Sequence, residues 1–550
     1  MPNNLCIIED LEDYSLFKKN INFKDYIVVP LNFETFLECK KSKLRIINFD
    51  KYLNKSFHKK ALDNSIKFSN GIKFFAKTEY SLKNEIISRL RFRLHSIIFI
   101  IELIEPAIKD LKVEKILVSG ISRRHHAYLQ NWKISKISSE IIYNLFKTKF
   151  ESLLEERNQN KNDPKLYEYV SNSKLKKEKK KILMSNGGYN FSRLSKIFKK
   201  KFNIECWIMS FQKISFLKKI YYKFFKSFNV VYFEKKNQLF DSKKIFIHPV
   251  NFIYKQNFDL SEIINLFNSK LLFYFNDLNQ KILAVKKKIK NENFNLTISN
   301  ITRGLEGSIL DKDVEVPSLC ISHGIISKGI NKHDEIYKKM IAEAVFSGDS
   351  KYFSIQSKIM NESLKSHQIL GKGIITGNIV FAKANKSEKK KYLLFAATLK
   401  GFQNIHFLGV EMYYEYWNTL KDLNDFSKKF EEKIVVKLHP SVQSKPTDLK
   451  KLFKNLTFSN SKIENLLENA TALISYSSST IEDSLNSSVP VILYDPHDRY
   501  EHLRAIDPGS ENEPIFYIND KEKLYEIIKK IKKIKKFNFE NYIYKRNLDL

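Results

Sequence analysis

Short apolar runs alternate with helical patterns along nearly the whole chain, the order expected of layered α/β folds with parallel sheets. In the first part LCIIED, DYIVVP, LRIINF and EKILVSGI read as strands, with a long helix from about Asn84 to Leu111 before the last of them. A polar, lysine-heavy stretch from Glu155 to Lys181 reads as a linker or exposed insertion. The second block opens with KILMSNGGYNFSRLSKIFKKKFNIECWIMS: a strand, a Gly187-Gly188 turn, an amphipathic helix and another strand. Its further strands are NVVYFEK, KIFIHP, NLTIS and VPSLCIS. Between AVFSGD and Asn378 the chain passes into a third block, which holds KYLLFAAT, a helix from about Leu408 to Phe430, IVVKLHP, ALISYS, PVILYD and IFYIND. The closing helix sets Leu524, Ile527, Ile528, Ile531 and Ile534 on one face and lysines opposite, as a helix covering the last sheet would. No internal repeat or heptad array interrupts this pattern.

A chain of 550 residues exceeds one ordinary core, and 43% hydrophobic with 28% charged residues makes it globular. The formal charge of +34 fits either a solvated basic surface or a polyanionic partner. The 4 cysteines lie far apart, with no C-x-x-C and no histidine at metal-ligand spacing, which excludes a disulfide scaffold or zinc knot and suits a reducing compartment. The N-terminus has no basic region followed by a long apolar run, so no signal peptide is expected. The most apolar helix candidate, LHSIIFIIELIEP, is broken by Glu102 well short of the roughly twenty residues a span requires. The expected location is therefore cytoplasmic, with peripheral contact on the inner face of an anionic membrane as a further expectation. FLKKIYYKFFKSF, residues 216–228, interleaves lysines with aromatics; such a face lies on a bilayer or buries its rings in the core, and burial is the first expectation. Nucleic acid is not expected, because stacking needs aromatics on a concave basic surface.

The stretch TALISYSSSTIEDSLNSSVPVILYDP carries the strongest chemical signal. A buried strand runs into Ser477, Ser478, Ser479 and Thr480, and a helix follows. Unpaired backbone N–H groups and the helix dipole favour an anion there, and open α/β sheets bind ligands at this edge. A capping box between Ser479 and Glu482 is the structural alternative, though a cap needs one hydroxyl rather than four. Lys437, Leu438, His439 and Pro440 end the strand expected beside it, where a cation and an imidazole can neutralise or protonate a departing phosphate. His323-Gly324 follows the strand VPSLCIS, with a glycine for close backbone approach. The Gly187-Gly188 turn is a weaker signal that suits room for an acceptor. No D-x-D pair marks a metal-held diphosphate. Glu9, Asp10, Asp311 and Asp313 lie near strand ends as unranked alternatives for a base.

From VPSLCISHGII through AVFSGD, IITGN, VVKLHP and SYSSSTIEDSL, the chain resembles bacterial surface-polysaccharide glycosyltransferases of the GT-B fold. The nearest patterns are the capsule Kdo transferases, sialyl- and polysialyltransferases, and CDP-glycerol glycerophosphotransferases. The resemblance covers about 200 residues, Asn295 to Asp498. It implies two Rossmann-like domains facing across a cleft, with an added N-terminal α/β region. The expected divisions are 1–155 (N-terminal region), 156–181 (linker), 182–343 (acceptor side), 344–520 (nucleotide donor) and 521–550 (helix and tail). It further implies transfer from a nucleotide-activated, CMP-linked sugar to a growing glycan or glycolipid, with no metal and no resident cofactor. On this resemblance His439 contacts or protonates the donor phosphate, helped by Lys437 and Pro440. Ser477, Ser478, Ser479 and Thr480 bind the same phosphate, and Glu482 reaches the ribose. His323, with Gly324, matches the histidine that serves as base in the glycerophosphotransferases. The acidic Asp/Glu-Asp/Glu-Gly triplet of the sialyltransferases is absent. The alternatives are a CDP-glycerol-type polyol-phosphate transferase and a non-catalytic basic protein that binds membranes or polyanions through degenerate sugar-nucleotide domains.

Overall fold

The computed structural model describes residues 4–53, 60, 63–64, 66–68, 70–72, 80–118, 150–152, 166–171, 175, 179–239, 245–248, 250–255, 258–322, 332, 335, 338–339, 342, 345, 350–367, 371–384, 390–397, 413–439, 446–476, 478–496, 503 and 505–544. Four parallel strands form an N-terminal sheet: β1 Asn4–Ile8, β2 Tyr26–Pro30, β3 Ile116–Val118 and β4 Phe150–Ser152, in the order β2-β1-β3-β4. The apolar runs of β1, β2 and β3 are buried as two-face-covered parallel strands must be. LRIINF forms no strand of its own and contributes one bridge, Ile46 to Val28. Within the stretch expected as a linker, β5 Tyr167–Val170 pairs antiparallel with β9 Glu234–Gln238.

The second sheet contains seven parallel strands: β6 Lys181–Met184, β7 Glu205–Ser210, β8 Phe228–Tyr232, β12 Leu296–Ser299, β13 Ser318–Cys320, β14 Tyr352–Ile355 and β15 Lys372–Ile375. Between β9 and β12, the short strands β10 Ile253–Tyr254 and β11 Phe258–Asp259 form a hairpin. Spatial order is β15-β14-β13-β12-β6-β7-β8. The third sheet has six parallel strands: β16 Tyr392–Ala396, β17 Ile434–Lys437, β18 Leu456–Ser459, β19 Ala470–Ser475, β20 Val491–Tyr494 and β21 Ile515–Ile518. Its order is β18-β17-β16-β19-β20-β21. Numbered within the sheet, that is 3-2-1-4-5-6, the doubly wound Rossmann arrangement. The second sheet repeats it, with β6-β7-β8 wound one way and β12-β13-β14-β15 the other. The fold is thus α/β and GT-B-like, with two Rossmann-like domains and an additional N-terminal α/β region. β14 and β15 pair inside the first Rossmann sheet, past the expected end of that domain at residue 343, and the chain leaves that sheet only after Ile375.

The N-terminal region is docked on the third sheet's Tyr413–Phe430 helix through aromatic rings. Phe33 meets Tyr416 edge-on at 5.5 Å, Phe36 meets Trp417 at 5.3 Å and Phe49 stacks on Tyr414 at 5.1 Å. Such pairs add about 0.5–1.5 kcal/mol each beyond their buried area. The Ser261–Asn291 helix joins two cores: Phe275, Leu278 and Ile282 pack with the N-terminal region, while Val285 and Ile289 pack under the second sheet.

Candidate functional site

In a doubly wound sheet the chain departs in opposite directions from two adjacent strands, and the loops beyond their carboxyl ends part to leave a crevice. Here those pairs are β6 with β12 and β16 with β19. β6 runs into Ser185-Asn186-Gly187-Gly188, and the Tyr189–Phe202 helix follows. β19 runs into Tyr476 and the hydroxyl cluster, and the Thr480–Asn486 helix follows.

The two crevices are locked face to face by the segment 376–384, which carries the chain from one domain to the other. Gln356 is fully buried; its Oε1 accepts from the backbone N–H of Ile379 (3.2 Å) and Val380 (3.0 Å), and its Nε2 donates to the Ser322 carbonyl at 2.6 Å. Beyond them, the Ala382 N–H donates to Asp483 Oδ1 at 2.6 Å and the Ala384 N–H to Ser487 Oγ at 2.9 Å. Arg193, from the helix after Gly188, donates to the Phe381 carbonyl at 3.5 Å and exerts its charge on Asp483. Arg193 and Asp483, near the starts of the 189–202 and 480–486 helices, therefore grip adjacent residues of the crossover, Phe381 and Ala382. The N–H groups of Ile379, Val380, Phe381, Ala382 and Ala384, which have left the strand ladder, each receive a side-chain partner.

On the acceptor side, Asn186 shapes the loop. Its Oδ1 accepts the Gly188 N–H at 2.9 Å and its Nδ2 reaches Asn300 Oδ1 at 3.4 Å, spanning the ends of β6 and β12. Gly187 occupies a crowded position, since a Cβ there would stand 3.1 Å from the Tyr222 ring and 3.2 Å from Ile208. The side chain of Asn186 also bonds Glu306, whose carboxyl burial pushes above its ordinary pKa, against the pull of Arg303. Behind it the buried Glu85–Arg89 pair closes at 2.8 Å. Glu306 follows β12 in the segment Thr302-Arg303-Gly304-Leu305-Glu306-Gly307, and a Cβ on Gly307 would collide with the backbone of Thr302. Sequence reading passed over this acid; its one signal was a carboxylate between two glycines just beyond a strand end.

On the donor side, Ser475 Oγ donates to the Ala396 carbonyl at 2.6 Å and pins β19 to β16 at the crevice. Ser478 is buried and its Oγ accepts the Thr480 N–H at 3.3 Å. Ser479 is exposed and its side chain makes no cap. The Thr480 hydroxyl is buried without a hydrogen-bond partner. Lys437 ends β17 half-buried, with Nζ donating to the Leu438 carbonyl at 3.2 Å; burial lowers its pKa while Asp483 and Glu464 pull it back up. His439 is half-buried two residues on. β17 is not β19's neighbour, as expected from sequence, because β16 lies between them. At the usual strand spacing the Lys437–His439 end and the hydroxyl turn stand about 10 Å apart, flanking the end of β16.

Glu482 is where sequence and structure part. It neither closes a capping box with Ser479 nor opens toward a ribose: it is fully buried, and its Oε1 accepts from Ser357 Oγ at 2.8 Å. Ser357 also accepts the Met360 N–H at 3.1 Å, so a cap on one domain's helix is shared with an acid of the other. Burial raises Glu482 to about 8, with Asp483 adding to the rise, and burial raises Asp483 to about 7. His323, Gly324, Pro440 and Ser477 lie outside the described residues. Two of the four acids left unranked by sequence are structurally occupied: Asp311 pairs with Lys286 and accepts the Asp313 N–H at 2.8 Å, and Asp10 accepts the Asp13 N–H at 2.9 Å.

No family model matches the sequence, and no curated protein matches it. Among solved structures it is similar to the UDP-GlcNAc 2-epimerase of Methanocaldococcus jannaschii in complex with UDP-GlcNAc and UDP, at 15% identity over 65% of this chain and 93% of that one, TM-score 0.38. It is also similar to a UDP-N-acetylglucosamine 2-epimerase of Listeria monocytogenes (13% identity, 66% and 89% covered, TM-score 0.39) and to TarM (12%, 65% and 92%, 0.36). At these identities and scores the likenesses assign no activity to this chain, and the fold rests on its own strand order.

Proposed function

We propose that the protein is a glycosyltransferase that moves a sugar from a nucleotide-activated, CMP-linked donor to a growing cell-surface polysaccharide or glycolipid, without a metal ion. The observation that carries this reading is the pair of Rossmann crevices facing each other across the clamped 376–384 segment. The donor nucleotide occupies the crevice between β16 and β19; the acceptor enters beside Asn186, Gly187 and Gly188. An acceptor hydroxyl oxygen bonds to the anomeric carbon, the carbon–oxygen bond to phosphate breaks, and the nucleotide leaves with the electron pair. Lys437 and His439 neutralise the charge that develops on the phosphate, and the Thr480 hydroxyl is free to donate to it.

Glu306 receives the acceptor proton in this scheme. A carboxylate whose pKa burial has raised is a better base near neutral pH than a solvated one. Glu306→Gln is expected to lower kcat by roughly 10²–10⁴-fold, with donor binding retained; an unchanged kcat would remove Glu306 from the mechanism.

The class is tested by thermal unfolding of the full chain with CMP, CDP, UDP and GDP in turn. A cytidine nucleotide at a hundredfold excess over its Kd should stabilise by roughly 2.7 kcal/mol. Stabilisation by UDP or GDP alone would overturn the cytidine assignment, and stabilisation by none would leave the non-catalytic reading in its place. Turnover with CDP-glycerol but not with a CMP-sugar would select polyol-phosphate transfer.

A further inference from the structure

The segment expected to bury its rings does the opposite. The Phe216–Tyr221 helix and the π-turn Tyr222–Lys226 that continues it leave Phe216 75%, Leu217 77%, Tyr221 46%, Phe224 69% and Phe225 64% exposed. Scattered apolar residues on a surface need no explanation, but a contiguous group of this kind marks an interaction site. Phe216 and Phe224 fall on one ridge at fourfold spacing, and Leu217, Tyr221 and Phe225 fall on the next, so the two rows form one face. Tyr221 and Phe225 stack at 5.7 Å. Around them Lys213, Lys218, Lys219 and Lys223 are exposed, and no acid occurs between Phe211 and Phe233. Lys223 lies over the Phe224 ring at 5.9 Å and Lys226 over Tyr221 at 5.8 Å, which keeps the cations beside the rings.

We propose that this face docks on an anionic lipid bilayer and so holds the acceptor side of the cleft at the membrane surface. Rings inserted to the depth of the acyl boundary with lysines at headgroup level match the face's composition, and the charge favours anionic lipid over a neutral partner. No helix among the described residues is long and apolar enough to cross a membrane. The face is coupled to the site. Tyr222, in the π-turn, packs where a side chain on Gly187 would stand, and Ser192 and Ser195 of the 189–202 helix donate to the carbonyls of Lys226 and Ser227 at 3.5 and 2.5 Å. A lipid-anchored acceptor would then reach the Gly187-Gly188 loop without leaving the surface. That last step rests on the transferase reading; the docking does not.

Flotation of the full-length protein with vesicles tests it. Binding is expected on phosphatidylcholine vesicles containing about a third phosphatidylglycerol, and should fall with salt; on phosphatidylcholine alone it should be roughly tenfold weaker or more. Combined Phe216→Ser, Leu217→Ser, Phe224→Ser and Phe225→Ser, and separately Lys218→Glu, Lys219→Glu and Lys223→Glu, should each cut vesicle binding roughly tenfold or more. Because these side chains are exposed, the variants should keep the wild-type unfolding temperature and its shift with nucleotide. Unchanged vesicle binding in the serine variant, equal binding to neutral vesicles, or no binding by the wild type would overturn the proposal. So would a wild-type dimer that the serine variant dissolves without any effect on vesicles, since the face would then meet a second copy. Vesicle binding without any nucleotide shift would leave the docking standing and remove the transferase reading.

Discussion

Alanine at His439 is expected to lower sugar transfer by roughly 10²–10⁴-fold while the unfolding temperature stays within a degree or two of wild type. The argument is positional. β17 and β19 flank β16, and the ends of all three border the crevice where a parallel Rossmann sheet receives its ligand. A gap of about 10 Å between the Lys437–His439 end and the hydroxyl turn is wide enough to hold a nucleotide phosphate between cation and hydroxyl. His439 is only half-buried and lies beyond the last ladder residue of β17, so its loss opens no cavity in the core. If the imidazole acts on charge that appears as the phosphate departs, kcat falls and KM for donor hardly moves. Lys437→Ala should behave differently. Its ammonium already faces Asp483 and Glu464 in the ground state, so its removal should raise donor KM as well. Steady-state kinetics on the two variants check this, and full activity in His439→Ala would sink the assignment of this edge as the donor site.

What the sequence disclosed follows from where the physics is local. β16, β17, β19 and β20 were legible because a run such as VILY or LLFA, buried on both faces, has few other homes. KIFIHP has the same look and forms no named strand for a reason no local pattern contains. The Ile245 N–H is taken by Asn276 Oδ1 at 2.6 Å and the Val250 N–H by Asn265 Oδ1 at 2.7 Å, so side chains of the 261–291 helix replace the ladder. β15 was missed for the opposite reason: it is an exposed edge strand, KGII, with no buried run to announce it. The hydroxyl turn could be found from its own residues, whereas the role of Glu482 depends on Ser357, 125 positions away in the chain. Likewise Phe216–Phe228 spells an amphipathic pattern, but whether its rings face protein or solvent is decided by what the rest of the chain leaves uncovered.

The stability of the interdomain contact should fall as pH rises through neutrality, and Glu482→Gln should abolish much of that slope. Glu482 has a folded pKa of about 8 against an ordinary 4.5, and Asp483 about 7 against 3.8. Between the unfolded and folded values the native state holds the proton and the unfolded chain does not. Stability therefore declines across that window and levels off above it, the reverse of a salt-bridged carboxylate. For Glu482 the decline amounts to roughly 5 kcal/mol, complete only above its folded pKa. The glutamine variant keeps the shape and an acceptor for Ser357 Oγ but cannot ionise. The difference in unfolding free energy between wild type and variant should thus be small near pH 5 and grow in the variant's favour toward pH 9. Parallel curves across that range would show that the acid is not held protonated. The same two acids bear on the proposed donor site, because they lie in the first turn directly after the hydroxyl cluster. Ionised, they would set negative charge under an arriving phosphate; protonated, they do not. Donor affinity in the wild type should accordingly weaken between pH 7 and 9, and in Glu482→Gln that loss should be smaller.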